Sequence, residues 1–513
     1  MPTPTALQSL LAEPLLRTPE REAVRDAPTA LNYRQLDRQV RAVAAGLSRR
    51  GVQPGERVAW LLPNCVEAVV TTLACYQIGA IAVPLNHRYV AEEVADVVRR
   101  VDALLIVCDA GRNDVAGSLL EAGNIRAAFC IGEVNDAIFT PFDVLLDHDP
   151  LDRPVAMSPG APALILFTSG STGRPKGVVH SHAGAFAAID ASRRLFEMND
   201  SDVVLVGKPI SHAGGLETQL LPALHAGARV VLAMKPSPAE AVSLIGAHSV
   251  TQYGMLASDL LDFVEFLEGC PVKRTTLKNS IGSGDAVPHD LHQRFRDLFG
   301  WEVMEGCGMT EVGGYYAANP RSGRRKWGSL GLPVADTQIR IVDAEMSDVD
   351  IGQVGEIVIQ AASQTIGYWQ DEAATAELLR NGWLHTGDLG YRDDDGYVWF
   401  VGRSKLMIVR RGSNIAPAEV EDVLDEHPQV HASVVVGMAD DRDGHVPVAC
   451  VALLPGHCVS ESELREFVAS RLAAYKNPTR YFFFDELPRN GTGKFDRHQL
   501  QEFVDRAADD HRR

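Results

Sequence analysis

The stretch that decides the fold class occupies residues 168–177 and reads Thr168-Ser169-Gly170-Ser171-Thr172-Gly173-Arg174-Pro175-Lys176-Gly177. It contains four hydroxyl side chains, three glycines and two cations in ten residues. Glycine has no Cβ, so the backbone of such a loop can approach an anion closely, and its N–H groups and hydroxyls can surround phosphate oxygens. The apolar run 163–167 before it has the composition of a buried strand. Because open α/β sheets bind ligands at the carboxyl ends of their strands, the stretch predicts a phosphate-binding loop in an α/β protein.

The loop differs from the P-loop of nucleotidases. That motif requires a glycine, four residues, and then Gly-Lys followed by Ser or Thr. Counting from Gly170, Pro175 occupies the position of the second glycine, and Gly177 follows Lys176 where a hydroxyl residue is required. Taken on its own, the stretch also fits a solvated Gly/Ser surface loop, so its assignment depends on the rest of the chain.

The hydrophobic pattern divides the chain into three regions. Between about residues 55 and 310, short apolar runs alternate with helix-like runs such as 65–76 and 289–299. From Gln338 the runs become short and closely spaced, and after Arg403 an α+β unit begins, with a helix predicted over 461–474. The predicted strands are 58–62, 103–108, 164–167, 203–206, 229–232, 302–304, 338–342, 356–360, 397–401, 433–436 and 448–454. The pattern predicts an α/β fold: helix-covered, largely parallel sheets, a small β subdomain and a smaller α+β C-terminal domain.

Composition limits the classes of partner. The chain has 513 residues, enough for several hydrophobic cores. Its net charge of −18 argues against nucleic acid and anionic membranes as partners. The eight cysteines include no C-x-x-C pair, which favours free thiols in a reducing cytoplasm. The most apolar region, 58–85, is interrupted by polar residues, so we expect no membrane span. The N-terminal residues have no basic region before an apolar run, so we expect no signal peptide.

Further distinctive segments follow the loop in order along nearly the whole chain. They are 209–212 (PISH), 305–311 (EGCGMTE), 327–333 (WGSLGLP), 367–369 (GYW), 386–390 (TGDLG), 402–405 (GRSK), 412–415 (GSNI) and 488–494 (PRNGTGK). Together with the loop described above, these segments resemble the motifs of the adenylate-forming superfamily, whose phosphate-binding signature is similar to that loop. The superfamily comprises acyl- and aryl-coenzyme A synthetases, peptide-synthetase adenylation domains and beetle luciferases, and the chain is most similar to the acyl-coenzyme A synthetases.

The resemblance implies an AMP-forming acid–thiol ligase that uses ATP, Mg²⁺ and coenzyme A. In that reaction a carboxylic acid attacks the α-phosphorus of ATP, which gives an acyl-adenylate and pyrophosphate, and a thiol then displaces AMP. The resemblance also implies a nucleotide- and acid-binding N-terminal domain over residues 1–402, a hinge at 403–406 and a mobile C-terminal domain over 407–513. Lys405 occupies the position of the hinge residue.

The resemblance assigns a role to each matching position. The phosphates are expected to bind Thr168, Ser169, Gly170, Ser171, Thr172, Gly173 and Lys176. Thr310 would contact the α-phosphate, and Glu311 would ligate Mg²⁺, which prefers oxygen ligands. Asp388 would bind the ribose hydroxyls, Arg403 the ribose or a phosphate, and Lys494 the reacting carboxylate and α-phosphate together. His212 would lie between the acid and the coenzyme A tunnel, which Gly412 would line. His180 and His182 lack a third metal ligand and are assigned to packing under the loop.

The chain departs from the family pattern near the base. Gly284, Asp285 and Ala286 resemble one wall of the adenine site, and Cys307 and Gly308 the other. Where the family usually has an aromatic residue that stacks on adenine, this chain has Cys307. A stack on a base is worth about 1–3 kcal/mol, so its loss predicts ATP binding weaker by roughly 5- to 150-fold unless another contact compensates. Leu406 and Arg411 are also unusual at their positions.

The acid is predicted from the residue sizes around its pocket. Peptide-synthetase domains carry an aspartate in the segment equivalent to 209–212, where it pairs with the substrate's amino group. This chain has none there, which argues against an α-amino acid. The predicted pocket residues are Ala213, Gly214, Gly254, Gly282 and Met309. Because small residues leave volume, a bulky or long apolar acid is expected.

Several alternatives remain open at this point. Cys307 raises the possibility of a ligase that takes a preformed acyl-adenylate and has weak or absent adenylation. A luciferase-like oxidase would share every motif, whereas a non-catalytic nucleotide-binding protein would have little reason to combine Lys494, Glu311 and Asp388. A carrier-protein phosphopantetheine presents the same thiol as coenzyme A, so the acceptor is undecided, as are the acid and the oligomeric state. No Gly-x-Ser-x-Gly elbow occurs, which argues against a serine hydrolase.

Overall fold

The computed structural model describes residues 5–133, 137–168, 175–270, 275–283, 287–403, 406–410, 413–440, 443–490 and 493–512. Two compact units are present. The first is formed by the described residues of Met1–Thr168, Pro175–Gln338 and Ile359–Leu384. The second is formed by those of Ile339–Val358 and His385–Arg513.

Strands occur throughout the chain. In chain order they are β1 (Glu22–Arg25), β2 (Ala30–Asn32), β3 (Arg57–Leu61), β4 (Ile81–Pro84), β5 (Ala103–Asp109), β6 (Ala127–Ile131), β7 (Thr140–Pro141), β8 (Pro162–Thr168), β9 (Lys176–Ser181), β10 (Val203–Val206), β11 (Arg229–Leu232), β12 (Gln252–Leu256), β13 (Asn279–Ser283), β14 (Met304–Met309), β15 (Gly314–Ala318), β16 (Leu332–Pro333), β17 (Thr337–Val342), β18 (Gly355–Ala361), β19 (Gly367–Tyr368), β20 (Leu379–Arg380), β21 (Trp383–Arg392), β22 (Val398–Arg403), β23 (Ile408–Arg410), β24 (Ser413–Ile415), β25 (Val430–Asp440), β26 (Gly444–Leu453) and β27 (Arg480–Phe484).

Helices alternate with these strands. They are α1 (Ala12–Arg17), α2 (Tyr33–Arg49), α3 (Val66–Ile78), α4 (Ala91–Val101), α5 (Asn113–Glu121), α6 (Asp143–Leu146), α7 (His182–Leu195), α8 (Ala213–Gly215), α9 (Leu221–His225), α10 (Pro238–His248), α11 (Ala257–Glu268), α12 (His289–Phe299), α13 (Glu372–Leu378), α14 (Pro417–Asp425), α15 (Glu461–Ala469) and α16 (Arg497–Arg512). A π-helical turn, Leu216–Leu220, joins α8 to α9, and Thr310–Val312 forms a 3₁₀ turn.

The first unit contains two large sheets, which confirm the predicted α/β class. Over the described residues, one has nine strands in the order β16-β15-β14-β13-β12-β10-β11-β1-β2, and the other has eight in the order β19-β9-β8-β4-β3-β5-β6-β7. Pairing is parallel from β14 to β1 and from β8 to β7, and antiparallel only at the edges. The parallel strands are continuous apolar runs because both faces of such sheets are covered.

A helix buried on all its faces lies at the centre of the first unit. Almost every residue of α3 is buried, as expected for a helix that is apolar all round. Its Val69 belongs to the same hydrophobic cluster as Val58 of the eight-stranded sheet and Val204 of the nine-stranded sheet. The two sheets therefore share one core, and the loops at their strand ends are held on a rigid base.

The second unit is an α+β assembly, as the pattern after Arg403 predicted. Within its described residues, β24-β23-β26-β25 form a sheet in that order, with β27 parallel to β26. Helices α14 and α15 contribute Val420 and Leu464 to one hydrophobic cluster, and α16 contributes Leu500 to another. A further sheet has the order β17-β18-β21-β20, with β22 paired to β21. The predicted helix over 461–474 ends earlier, since α15 stops at Ala469.

Two other features bear on the predictions. The strand expected at 302–304 begins at Met304 and continues to Met309. It therefore includes residues 305–309 of the motif 305–311, which were not expected to form a strand. In the part of the chain that the structure describes, we find no helix with the length and hydrophobicity needed to cross a membrane.

Candidate active site

The strands on either side of the phosphate-binding loop form an antiparallel pair. Thr168 ends β8 and Lys176 begins β9, and the two residues are directly paired. The predicted loop residues Ser169, Gly170, Ser171, Thr172 and Gly173 lie outside the described residues. The Lys176 ammonium lies 4.8 Å from the ring centroid of Tyr368, within the range of a cation–π contact. The ends of the loop are therefore fixed by the sheet, and its lysine is held against an aromatic ring.

The Thr310–Glu311 turn is held by hydrogen bonds from two other segments. The carbonyl of Thr310 accepts a bond from Nε2 of His180 in β9, at 2.8 Å. The backbone N–H of Thr365 donates to the carbonyl of Glu311 at 2.7 Å, and the Tyr368 hydroxyl donates to Glu311 Oε1 at 2.8 Å. Both Thr310 and Glu311 are buried. The two side chains predicted to act on the α-phosphate and the metal thus extend from one immobilised turn.

His180 has a specific structural role under the loop. Burial lowers the pKa of its imidazole to about 4, although the nearby carbonyls of Thr310 and Ser363 favour the protonated form. The ring is therefore neutral at ordinary pH. Its proton is on Nε2, which donates a hydrogen bond to the Thr310 carbonyl. This contact joins β9 to the Thr310 turn. The loop residues 169–174 lie outside the described residues, so the packing of His180 under the loop stays a prediction.

Tyr368 was not predicted as a site residue. Its strand β19 pairs with β9, with Tyr368 opposite Val178, and this brings the Gly-Tyr-Trp segment next to the strand that follows the loop. Burial and the adjacent Glu311 carboxylate raise the pKa of Tyr368, so the phenol keeps its proton and donates it. The only signal in the sequence was the position of residues 367–369 among the matching motifs.

Glu311 fits the ligand chemistry of Mg²⁺. The cation usually takes one or two carboxylates from the protein and completes its shell with substrate phosphates and water. Glu311 supplies carboxylate oxygens on a buried turn, and Oε1 is oriented by Tyr368. The residue present is therefore of the right type and is held in place.

The residues predicted for the acid pocket lie within β12 and β13, at α8 and at the end of β14. His212 precedes α8, and its Nδ1 accepts a bond from the N–H of Gly214 at 3.2 Å. Gly254 is paired with Ile281, so it is next to Gly282 across the two strands. A Cβ at Gly254 would lie 2.8 Å from Gln219 Nε2, and a Cβ at Gly282 would lie 2.5 Å from Val287 Cγ2. At these two glycines the missing side chain makes room for neighbouring protein atoms.

A buried lysine near these residues was missed. Lys208 is 7% exposed, and its Nζ donates to Ser283 Oγ at 2.7 Å. It follows the apolar run of β10, and an isolated cation at that position has no recognisable motif around it. The chain therefore has a positive charge beside the last residue of β13.

Strand β14 carries the predicted base contacts. Cys307 is half-buried and opposite Ala317, while Gly308 packs on β15 so closely that a Cβ there would lie 2.3 Å from the Gly314 carbonyl oxygen. Met309 ends the strand immediately before the Thr310 turn. The other predicted wall, Gly284, Asp285 and Ala286, lies outside the described residues.

The second unit brings three predicted site residues together. Asp388 and Arg403 are directly opposite each other on β21 and β22, and Arg403 Nε donates to Asp388 Oδ1 at 3.0 Å. Burial raises the pKa of Asp388, while the positive charges of Arg403 and Lys494 oppose that shift. The Lys494 side chain is therefore near enough to Asp388 to act on it electrostatically. Lys405 and Gly412, predicted for the hinge and the coenzyme A tunnel, lie outside the described residues.

The loop that carries Lys494 is stabilised by its own residues. The N–H of Asn490 donates to the Lys494 carbonyl at 2.8 Å, and the N–H of Lys494 donates to Asn490 Oδ1 at 3.2 Å. Gly493 has φ of +91°, a conformation that glycine adopts without steric cost. The Lys494 side chain is exposed.

Comparison with known proteins identifies the family of the chain. The family model "AMP-binding enzyme" matches residues 11–369, and the "AMP-binding enzyme C-terminal domain" model matches residues 419–494. Feruloyl-CoA synthase from Amycolatopsis sp. is 34% identical over 482 residues, covering 93% of this chain and 94% of that protein. The fatty acid–[acyl-carrier-protein] ligase ScoC of Streptomyces coeruleorubidus is 33% identical over 483 residues, covering 92% and 91%. The structure of ATP-bound MatB from Rhodopseudomonas palustris superposes with a TM-score of 0.89 at 26% identity, covering 97% of this chain and 98% of that one.

The fold is that of an adenylate-forming enzyme. The chain belongs to the AMP-binding enzyme family, and it is an acid–thiol ligase. This confirms the superfamily and the enzyme class that the sequence motifs predicted.

Proposed function

We propose that this protein is an ATP-dependent acyl- or aryl-coenzyme A synthetase that activates its acid as an acyl-adenylate. The observation that carries the proposal is the convergence of Lys176, Tyr368 and the Thr310–Glu311 turn in the first unit. These residues place a cation, a hydroxyl and a carboxylate next to the ends of the phosphate-binding loop. Such groups are needed to hold a nucleoside triphosphate together with its metal ion.

The adenylation step brings a carboxylate anion to a phosphate anion. Its rate therefore depends on positioning and on neutralising charge where it develops. Lys176 and the loop residues hold the β- and γ-phosphates, and Thr310 binds the α-phosphate. Glu311 would hold Mg²⁺, and the bound cation would supply positive charge that offsets the negative charge of the phosphates.

The second unit supplies the contacts to ribose and to the reacting centre. The Asp388 carboxylate accepts hydrogen bonds from the ribose hydroxyls, with Arg403 orienting it. Lys494 binds the acid and the α-phosphate together and so stabilises the charge as the mixed anhydride forms. The hinge at 403–406 with Lys405, the adenine wall 284–286 and the tunnel residue Gly412 remain part of this proposal, as does the division into domains 1–402 and 407–513.

The acid is bulky or long and largely apolar, and it enters between His212 and the strands β12 and β13. Two relatives support this size class: one is named for an aromatic acid, feruloyl, and the other for a fatty acid. The thiol acceptor is coenzyme A, and its reactive end passes Gly412 and His212. All eight cysteines are free thiols, in keeping with a cytoplasmic enzyme.

A second acceptor is favoured by one comparison. The relative ScoC is named as a ligase for an acyl-carrier protein, and a carrier-bound phosphopantetheine ends in the same thiol as coenzyme A. Carrier-protein thioesterification is therefore the second candidate for the transfer step, with the adenylation step unchanged.

The test follows acid-dependent ATP–pyrophosphate exchange with a panel of aromatic and fatty acids, and then thioester formation with coenzyme A or with a phosphopantetheinylated carrier protein. We expect exchange and coenzyme A thioester formation with the same acid. Thioester formation from synthetic acyl-adenylates without exchange would replace the proposal by a ligase for preformed adenylates. The absence of both activities over the whole panel would contradict it.

A further inference from the structure

A buried carboxylate on α14 joins three elements of the second unit. Glu421 is 8% exposed. Its Oε1 accepts hydrogen bonds from the N–H of Val435 in β25 at 2.6 Å and from Nη1 of Arg497 at 2.7 Å, and its Oε2 accepts one from Nη2 of Arg497 at 2.5 Å. Arg497 is the first residue of α16. A bidentate ion pair therefore connects α14, β25 and the start of α16.

The geometry of this ion pair is specific. A guanidinium that donates two hydrogen bonds to one carboxylate has a fixed orientation, and such charge-assisted bonds are stronger than neutral ones. Nη1 of Arg497 also donates to the carbonyl of Val435 at 3.1 Å, which orients the group further. Helix α16 is held in addition by Leu500 and Val504, which pack in a hydrophobic cluster. Loss of the ion pair should therefore shift the start of α16 and leave the helix attached.

The start of α16 is continuous with the loop that carries Lys494. Arg497 follows Lys494 by three residues in the chain. Between them, the N–H of Asp496 donates to the carbonyl of Pro488 at 2.8 Å, which closes the loop on its own first residue. The N–H of Arg497 donates to the carbonyl of Phe495 at 3.1 Å. The backbone at Lys494 is thus placed by the same short segment that the ion pair anchors.

We infer that Glu421 is a positioning residue for the adenylation step, acting on Lys494 through Arg497. The inference rests on the proposed function, in which the Lys494 ammonium binds the carboxylate and the α-phosphate while the anhydride forms. The ammonium stabilises that developing charge only from the correct position, and an error of about 1 Å in such a group can lower a rate by roughly 10²-fold. Transfer of a finished acyl-adenylate to the thiol does not use Lys494, so it should not depend on Glu421.

The direct test is Glu421→Gln, measured in both half-reactions. A glutamine has one carbonyl oxygen and one NH₂ group in place of the two carboxylate oxygens, so a donor of Arg497 or of Val435 would face another donor. We expect acid-dependent pyrophosphate exchange at saturating ATP and acid to fall by roughly tenfold. Formation of the coenzyme A thioester from a supplied acyl-adenylate should stay at the wild-type rate. A loss confined to adenylation identifies an effect on Lys494, because a general structural defect would slow both steps.

Two further variants keep the test decisive. Glu419→Gln is the matched control, because Glu419 lies on the same helix and pairs with Nζ of Lys476 at 2.5 Å, away from α16. Both half-reactions should be unchanged in this variant. If Glu421→Gln does not fold, Arg497→Lys keeps the positive charge beside Glu421 and removes the planar fork. Exchange should then fall by roughly threefold while thioester formation from the acyl-adenylate is unchanged.

The outcomes separate this inference from the proposed function. A wild-type protein without acid-dependent exchange for any acid of the panel would contradict the proposed function itself. If the wild type shows exchange and Lys494→Ala loses it, a folded Glu421→Gln variant that keeps the full exchange rate would overturn the inference alone. Equal losses in the two half-reactions would also overturn it, because they would show a general structural defect in place of an effect on Lys494.

Discussion

The Tyr368 hydroxyl donates a 2.8 Å hydrogen bond to the carboxylate of Glu311, while its ring lies 4.8 Å from the Lys176 ammonium. One side chain therefore contacts both the residue proposed to hold Mg²⁺ and the lysine proposed to hold the phosphates. These two residues are far apart in sequence, and the pairing of β19 with β9 brings them to the same tyrosine.

Removal of this hydroxyl should raise the requirement for Mg²⁺. Tyr368→Phe keeps the ring under Lys176 and deletes only the donor to Glu311. Because a hydrogen bond to a charged group contributes about 1.5–3 kcal/mol, we expect pyrophosphate exchange at low Mg²⁺ to fall by roughly tenfold, with partial recovery at high Mg²⁺. Tyr391→Phe, in the second unit, is the matched control. An unchanged Mg²⁺ dependence would show that the hydroxyl does not orient the metal ligand.

Arg403 should determine the pH at which kcat/KM for ATP falls on the acidic side of its pH profile. Burial raises the pKa of Asp388, and the positive charge of Arg403 lowers it again. Arg403→Gln removes that charge, so the pKa rises further and the carboxylate is protonated at higher pH. Since only the ionised form accepts both ribose hydroxyls, the acid limb of kcat/KM for ATP should move to higher pH. A limb that stays in place or moves to lower pH would contradict the role of this pair.

Protonation of His182 should lower the free energy of unfolding of the first unit in mild acid. Its imidazole is fully buried with Nδ1 3.2 Å from the Thr5 hydroxyl, and burial lowers its pKa from 6.5 to about 4. The unfolded chain therefore binds a proton below about pH 6.5 that the folded chain does not bind until about pH 4. Stability is lost as the pH falls through this window.

The measurement compares urea unfolding of the wild type and His182→Gln between pH 4.5 and pH 7.5. The variant lacks the titrating group, so the difference in unfolding free energy should change by ~1.4 kcal/mol per pH unit inside the window and stay constant above it. A constant difference over the whole range would mean that the pKa of His182 is not lowered in the folded protein.

Glu217 should destabilise the protein at neutral pH. It lies in the π-helical turn with no exposure, and among the described residues neither carboxylate oxygen has a hydrogen-bond partner. Burial raises its pKa well above 4.5, so the folded chain keeps a proton that the unfolded chain releases, and the cost grows as the pH rises above the unfolded value.

Glu217→Met should therefore raise the unfolding free energy at pH 7.5 by roughly 1–3 kcal/mol, with a smaller gain near pH 4.5. Glu265→Met, at an exposed position on α11, should show neither the gain nor its pH dependence. A loss of stability in Glu217→Met at neutral pH would indicate that the carboxyl makes a stabilising contact in the folded protein.

The motifs and the α/β class could be predicted because they depend on local sequence. The loop 168–177 is recognisable from its glycines and hydroxyls, and the apolar runs of β3, β5 and β8 mark parallel strands directly. Contacts such as His180 with Thr310 and Tyr368 with Glu311 could not be predicted, since they depend on which strands become neighbours. Tyr368 reaches Glu311 only because β19 adds to the edge of the eight-stranded sheet.

The glycines predicted to line the acid pocket show a different limit of prediction from sequence. Small residues at 254 and 282 suggested volume for the acid, yet Gln219 and Val287 occupy the space beside these two glycines. Residue size alone does not separate a pocket from close packing between protein segments. Lys208 was missed for a related reason, because a single charged residue beside an apolar run has no distinctive spacing.

The most direct test of the proposed mechanism measures both half-reactions in Lys494→Ala. In this account Lys494 binds the carboxylate and the α-phosphate only while the anhydride forms. The variant should lose acid-dependent pyrophosphate exchange by 10²-fold or more, on the order expected for a charge-stabilising contact, and still transfer a supplied acyl-adenylate to coenzyme A. Lys476→Ala, which breaks a salt bridge with Glu419 in the same unit, should retain both activities. Exchange at the wild-type rate in Lys494→Ala would contradict the account.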